Sequence, residues 1–123
     1  MNRETLVEMV QGQKVHQIRS GDHHFIDITI ASTEGRFFVR PYKFGANGWR
    51  DAFLKNPAGQ MKITDVIIDI DGVIPDDLDT INPKINEAYK KLLGMMYSAM
   101  RMTFDAQKHE ALTLELIPKN LND

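Results

Sequence analysis

The 123-residue chain has no cysteine, which excludes disulfide frameworks, thiol nucleophiles and Cys-ligated zinc. No apolar run reaches the length of a membrane-spanning helix, so a membrane protein of the helical kind is not expected. The first residues, MNRETLVEMVQGQK, are charged and lack the apolar centre of a secretory signal, which predicts a cytoplasmic protein. Only four histidines occur, and the adjacent pair His23-His24 would point to opposite faces of a strand, so no metal site is expected. The net charge is -2 and no basic stripe carries interleaved aromatics, which argues against nucleic acid as a partner.

What is present is ordinary globular material: 42% hydrophobic and 26% charged residues, enough for one domain over 1–123 with one modest core. The charge is unevenly spread. Between Lys14 and Lys62 the basic residues Lys14, Arg19, Arg36, Arg40, Lys43, Arg50, Lys55 and Lys62 outnumber Asp22, Asp27, Glu34 and Asp51. From Asp65 to Glu87 seven acids face only Lys84. The basic half suits a phosphate-bearing or otherwise anionic ligand. Two oppositely charged solvated faces would look the same.

Periodicity predicts the elements. Leu6, Met9 and Val10 are spaced for a short helix capped by Asn2. Lys14–Arg19 reads as a strand, Ser20-Gly21-Asp22 as a turn, and HHFIDITIAS as one alternating strand. RFFVRPY follows as a third, so the segment predicts an antiparallel meander. Phe37 and Val39 point one way; Arg36, Phe38, Arg40 and Tyr42 point the other. Asn47 caps a short helix bearing Trp49, Ala52 and Phe53 that stops at Asn56-Pro57. Strands follow in GQMKI and DVIIDID, then a helix capped by Asn82 with Pro83 first and Ile85, Ala88, Tyr89, Leu92 and Met96 as its apolar stripe. The methionines at 95, 96, 100 and 102 read as core or dimer-interface filler. ALTLELIP closes the chain as a strand. The sum is α+β, mainly β, and antiparallel.

One motif points elsewhere. VIIDIDG resembles the opening of haloacid-dehalogenase-like phosphatases, in which the first Asp (here Asp69) attacks phosphorus and the second (Asp71) is the acid/base. Such an enzyme needs a magnesium site, a phosphate-holding Lys and further carboxylates on successive βαβ units. Fewer than half the residues follow Asp71, too few for those units. Asp69 and Asp71 also alternate with Ile68 and Ile70, as on a sheet wet on one face. The motif is therefore read as a barrel strand with an acidic outer face, and the phosphatase is kept as an alternative. A calcium loop is excluded, because its Gly must lie five residues after the first Asp and Gly72 lies three after Asp69.

GRFFVRPYKFGANGWRDAFLKNPAGQMKI, INEAYKKLLG and ALTLELIPK together resemble the bacterial family called domain of unknown function 2255. The shared features are Val39-Arg40, Gly45, Trp49-Arg50, Gly59, Ile85 to Tyr89, and Thr113 to Pro118, with Asn86 standing where that family has Asp. IRSGDHHFIDITIAS with GWRDAFLKNP is similar to deazaflavin-dependent nitroreductases at Ser20-Gly21, Trp49 and Asn56-Pro57. Arg19 there sits one place closer to the Ser, and Phe53 replaces an Asn. These resemblances imply an antiparallel split β-barrel with flanking helices, a homodimer, and FMN or deazaflavin as cofactor, or a cofactor-free relative that keeps the pocket. An oxidoreductase of that type lets the cofactor carry the hydride, and the protein supplies phosphate anchors and an apolar wall. Arg19, Arg40, Lys43, Arg50 and Lys62 are the candidate anchors, Ser20 a hydroxyl donor, and Tyr42 and Trp49 the candidate ring wall. Each also has a structural use: Trp49 as a core anchor of its helix, Arg40 and Tyr42 against a dimer partner or the acidic strand. The competing class is a non-enzymatic dimeric module that binds an anionic small molecule.

Overall fold

The computed structural model describes residues 1–41, 48–101 and 106–122. In chain order it contains α1 (Arg3–Gln11), β1 (His16–Ser20), β2 (Ile26–Ile28), β3 (Ala31–Thr33), β4 (Arg36–Val39), α2 (Gly48–Lys55), β5 (Ala58–Ile63), β6 (Val66–Val73), α3 (Leu78–Leu93), α4 (Met95–Arg101), α5 (Ala106–Ala111) and β7 (Leu114–Pro118). The expected cap at Asn47 lies outside the described residues, as do Tyr42, Lys43 and Met102.

Seven strands form one sheet in the order β2-β1-β5-β6-β7-β4-β3, each neighbouring pair antiparallel. Its two end strands, β2 and β3, are consecutive in the chain and joined only by Thr29 and Ile30. Ile28 and Ala31 can be at most about 11 Å apart, whereas a flat seven-strand sheet is about 29 Å across. The sheet must curl until its ends meet. HHFIDITIAS is thus two strands rather than one, and the expected meander is replaced by the hairpins β1-β2 and β3-β4 at opposite ends of the sheet. Side chains satisfy the backbone at the bend. Thr29 Oγ1 donates to Lys14 O (2.7 Å), Tyr89 Oη donates to Thr29 O (2.9 Å), and the Ile30 amide donates to His16 Nδ1 (2.9 Å). The bend keeps both Ile28 and Ile30 inside the curl, which is where the alternation placed them.

The interior is filled by Ile18, Ile28, Ile30, Phe37, Val39, Met61, Ile63, Ile68, Ile70, Leu114 and Leu116. α1, capped by Asn2 Oδ1 accepting from the Thr5 amide (2.8 Å), adds Leu6 and Val10. α2 adds Phe53, whose ring lies against Gly59 and Gly72; a Cβ at Gly72 would come within 2.5 Å of it. The glycine of VIIDIDG is therefore a packing requirement.

α3 covers the other face of β3 and β4, where Ala31 and Phe38 pack with Ile81, Ile85, Tyr89, Leu93 and Tyr97. Its start differs from the sequence expectation: the helix begins at Leu78, with Asp77 as cap residue and Pro83 inside it. The Asp77 carbonyl accepts from the Thr80 and Ile81 amides, while its carboxylate takes a two-pronged contact from Arg36 (2.8 and 3.0 Å). Arg36 grips Glu115 in the same way (3.0 and 2.8 Å), so one guanidinium ties β4, β7 and the start of α3 together. Those carboxylates hold the Arg36 pKa above its usual value, and Arg36 holds the Asp77 carboxyl below its own. Met95 and Met96 are 87% and 60% exposed, so neither fills the core of this chain.

Candidate functional site

The expected anchors are dispersed. In the β1–β5 ladder Arg19 stands opposite Gln60 and Gln17 opposite Lys62, on the outer face. Arg19 Nε and Nη2 donate to Gln60 Oε1 (3.0 and 2.6 Å), and Gln60 Nε2 donates to Asp69 Oδ1 (2.9 Å). The Arg19 guanidinium lies 4.5 Å from the Phe25 ring centroid, and Lys62 Nζ lies 5.8 Å from it. Ser20 is buried and its hydroxyl donates to Asn56 O (2.8 Å), tying the β1–β2 turn to the end of α2. Arg50 Nε donates to Leu112 O (3.0 Å), and Trp49 packs half-buried on the barrel core.

Arg40 departs furthest from expectation. It does lie on the strand face opposite Val39, but α3 covers that face, and the residue is 1% exposed. Its Nε donates to Thr113 Oγ1 (2.9 Å), Nη1 to Asn86 Oδ1 (2.6 Å) and Tyr97 Oη (2.9 Å), and Nη2 to Asn82 Oδ1 (2.8 Å). Tyr89, stacked on Tyr97 at 5.3 Å, presents its ring 5.7 Å from the guanidinium. This buried network fastens α3 and α4 to the barrel, which accounts for Arg40 without a ligand. Asn82 and Asn86, four apart on the stripe that carries Ile85 and Tyr89, are the sequence signal for it.

A larger concavity than the depression beside Arg19 lies elsewhere. A groove of about 1140 Å³ runs between the end of α1 with its following loop, the β3 edge, and α3. Ala88 and Leu92 give it apolar surface, with the buried Ile30 behind; Lys14, Lys84, Lys90 and Lys91 bring positive charge, against Glu34 and Glu87. Lys84 Nζ already meets Glu34 Oε1 at 3.1 Å, which leaves Lys14, Lys90 and Lys91 facing Glu87. Ser32, on the β3 wall, has a buried hydroxyl with no hydrogen-bond partner among the described residues. Among the described residues, none of the expected site residues lines the groove. Lys84, Lys90 and Lys91 share α3, but Lys14 comes from the loop after α1, so the sequence does not show that they meet at one groove.

These two places test whether a flavin fits. The depression beside Arg19 holds about 260 Å³ and is bordered by Asp22 and Asp69; that is below the ~300 Å³ at which small-molecule sites begin, and its carboxylates oppose a phosphate. The groove is large enough and cationic, so it meets the two demands of size and charge. Among the described residues no three His, Asp or Glu side chains come together as a metal site, and no helix is long and apolar enough to cross a membrane.

No family model matches the chain, and no curated protein does, so neither resemblance noted in the sequence is matched at that level. Among solved structures, a Listeria innocua protein described as a putative pyridoxamine 5'-phosphate oxidase superposes with a TM-score of 0.63 over 96% of this chain and 94% of its own. The fold is a split barrel. At 14% identity the likeness is one of architecture, and the oxidase description belongs to the Listeria protein. A split barrel also disposes of the phosphatase alternative. β6 is paired antiparallel on both sides, so Asp69 and Asp71 stand on a barrel wall rather than at the end of a parallel strand. Asp69 accepts from Gln60 and Asp71 pairs with Lys119 at 3.0 Å.

Proposed function

We propose that this protein is a small cofactor-binding split barrel that takes a phosphate-bearing flavin or deazaflavin in the groove between α1, β3 and α3. The observation that carries the reading is the groove itself, roomy enough and cationic, on a barrel of this type. Lys14 from one wall and Lys90 and Lys91 from the other supply point charges for the phosphate, and Ala88 and Leu92 shield an apolar ring from water. When bound, the cofactor supplies the hydride chemistry of an oxidoreductase; the chain's residues bind and orient it.

A specific observation favours the second reading, a binding module without redox chemistry. No aromatic side chain is among the described residues lining the groove, so nothing there stacks on a ring system. An anionic ligand with an apolar body satisfies the same walls. Titration with FMN and with deazaflavin coenzyme, followed by absorbance and fluorescence, separates the two. Saturable binding that weakens in the Lys90→Glu/Lys91→Glu variant and persists in Arg19→Ala supports the flavin reading. Saturation by neither compound overturns it and leaves the binding module.

The protein is also proposed to form a homodimer through the bare outer wall of β6 and β7, where Ile67 and Ile117 stay 49% and 42% exposed. Light scattering after size exclusion checks this: a dimer mass that Ile67→Lys/Ile117→Lys converts to a monomer is the expected result, and a wild-type monomer sinks it.

A further inference from the structure

The groove's walls meet at one buried imidazole. His16 is 1% exposed, and the Ile30 amide points at its Nδ1 from 2.9 Å. A backbone amide only donates, so Nδ1 accepts and the ring is neutral with its proton on Nε2. Nε2 in turn donates to Val10 O at 2.8 Å. Val10 is the last buried residue of α1, and Gln11 to Lys14, which follow it, form one wall of the groove; Ile30 belongs to the other side. The ring therefore spans the groove from behind.

We infer that His16 is the positioning residue that holds the two sides of the groove in register, and that its protonation loosens them. A second proton, on Nδ1, would face the Ile30 N–H donor to donor, so the imidazolium cannot keep both contacts. The groups around the ring are backbone: the Val10 and Gln13 carbonyls and the Ile30 amide. The charged side chains on the packed elements are Lys14 on the loop, Glu34 after β3, and Lys84, Glu87, Lys90 and Lys91 on α3, all lining the groove. Lysine and glutamate ordinarily titrate outside pH 5 to 8, where histidine switches. Burial pushes the His16 pKa down, against the pull of the two carbonyls. The bond from Thr29 Oγ1 to Lys14 O does not involve the ring and survives its protonation, so loss of the ring's contact loosens the walls without opening the barrel.

The consequence for ligand binding rests on the groove being the cofactor site, so the test has two independent arms. In the ligand-free protein, the nitrogen-15 shifts of His16 should report the Nε2–H tautomer at pH 7.5. Amide exchange at Ile30 and across 11–14, corrected for intrinsic rate, should accelerate as the ring titrates below pH 6.5. The opposite tautomer, or protection that does not change from pH 7.5 to 5, overturns the inference whatever the groove binds. In the second arm FMN should bind about tenfold more weakly at pH 5 than at 7.5, the equivalent of one net hydrogen bond. The phosphate has its own second ionisation near pH 6, so the reference is His16→Gln, in which only the phosphate's part of the pH dependence should remain. Equal pH dependence in wild type and His16→Gln refutes the coupling. If FMN binds at no pH while Ile30 protection still follows the ring, the flavin reading falls and the positioning role of His16 stands.

Discussion

Replacing Gly72 by Ala tests what the glycine of VIIDIDG is for. The new Cβ would lie 2.5 Å from Cδ1, 2.9 Å from Cγ and 3.1 Å from Cε1 of Phe53. Carbon atoms in ordinary contact sit about 3.5–4.0 Å apart, so the ring has to retreat by about 1 Å. It cannot do so freely. Phe53 is fully buried, and on the neighbouring strand a Cβ at Gly59 would already come within 2.7 Å of the same ring. Overpacking of this kind costs about 1–3 kcal/mol, and removing a glycine from the unfolded chain returns about 0.4–1 kcal/mol. The expected net loss is about 1–2 kcal/mol, read as a lower urea midpoint at unchanged slope and a Tm lower by about 5–10 °C. Phe53→Leu should cost stability in the wild type and much less in Gly72→Ala, a coupling of at least about 1 kcal/mol. Gly48→Ala is the control, since a Cβ there meets nothing within 4 Å; it should leave the midpoint unchanged or slightly raised. A Gly72→Ala protein as stable as wild type, or effects of the two substitutions that simply add, would refute the packing argument.

Asp69→Asn keeps an Oδ1 that accepts from Gln60 and loses only an exposed charge, so it should shift stability by less than about 0.5 kcal/mol, and magnesium-dependent release of phosphate from p-nitrophenyl phosphate should be absent before and after; measurable turnover lost in the variant would reverse the barrel-strand reading. Arg40→Met removes the charged donor shared by Asn82, Asn86, Tyr97 and Thr113 under α3, while the longer contacts from Tyr97 to Asn86 and from Thr113 to Asn82 (3.2 Å each) stay; the loss of several charge-assisted bonds should cost about 3 kcal/mol by urea unfolding, whereas a loss below about 1 kcal/mol would mean that the network is not what holds the helix. Stability should also fall with acid in two stages. The His16 pKa is lower folded than unfolded, so its contribution is complete above pH 6.5 and lost as pH falls through the folded value; the Asp77 contribution, complete above its ordinary 3.8, is lost at lower pH still. Urea midpoints measured from pH 8 to 3 check the order, and His16→Gln should erase the upper stage alone.

Local pattern carried much of the fold into the sequence. The alternation of Ile68 and Ile70 with Asp69 and Asp71 identified a barrel wall with an acidic outside, and the pairing of β6 with both β5 and β7 is what that alternation requires. Where a partner rather than a period decides, the pattern was silent. HHFIDITIAS alternates without a break because Ile28 and Ile30 both end inside the barrel; the bend between them depends on His16, Lys14 and Tyr89, and Tyr89 lies 60 residues from Thr29. The start of α3 at Leu78 was hidden for a similar reason. The Asp77 carboxylate is spent on Arg36 rather than on its own helix, so the usual cap signal is missing, while Asn82-Pro83 imitates one five residues later.

The same physics separates the expected site from the groove. Three of the five expected anchors, Arg19, Arg40 and Arg50, are arginines, and in this chain those arginines are committed to holding the barrel together. Arg36 joins β4, β7 and α3, Arg40 fastens the helical layer, Arg50 holds Leu112 O, and Arg19 is bound by Gln60. A guanidinium's planar fork suits it to such fixed cross-links, because each bond it makes fixes the next. The groove is edged instead by lysines, point charges on flexible stems whose side chains, among the described residues, make no barrel contact beyond the exposed Lys84–Glu34 pair. Exchanging Lys90 and Lys91 for Glu should therefore alter ligand binding at a cost in stability of about 1–2 kcal/mol, from acids in the last turn of α3, while Arg40→Met should cost more and leave binding unchanged. If the lysine variant proves the less stable of the two, the division between structural arginines and ligand-facing lysines fails, and the groove loses its claim as the site.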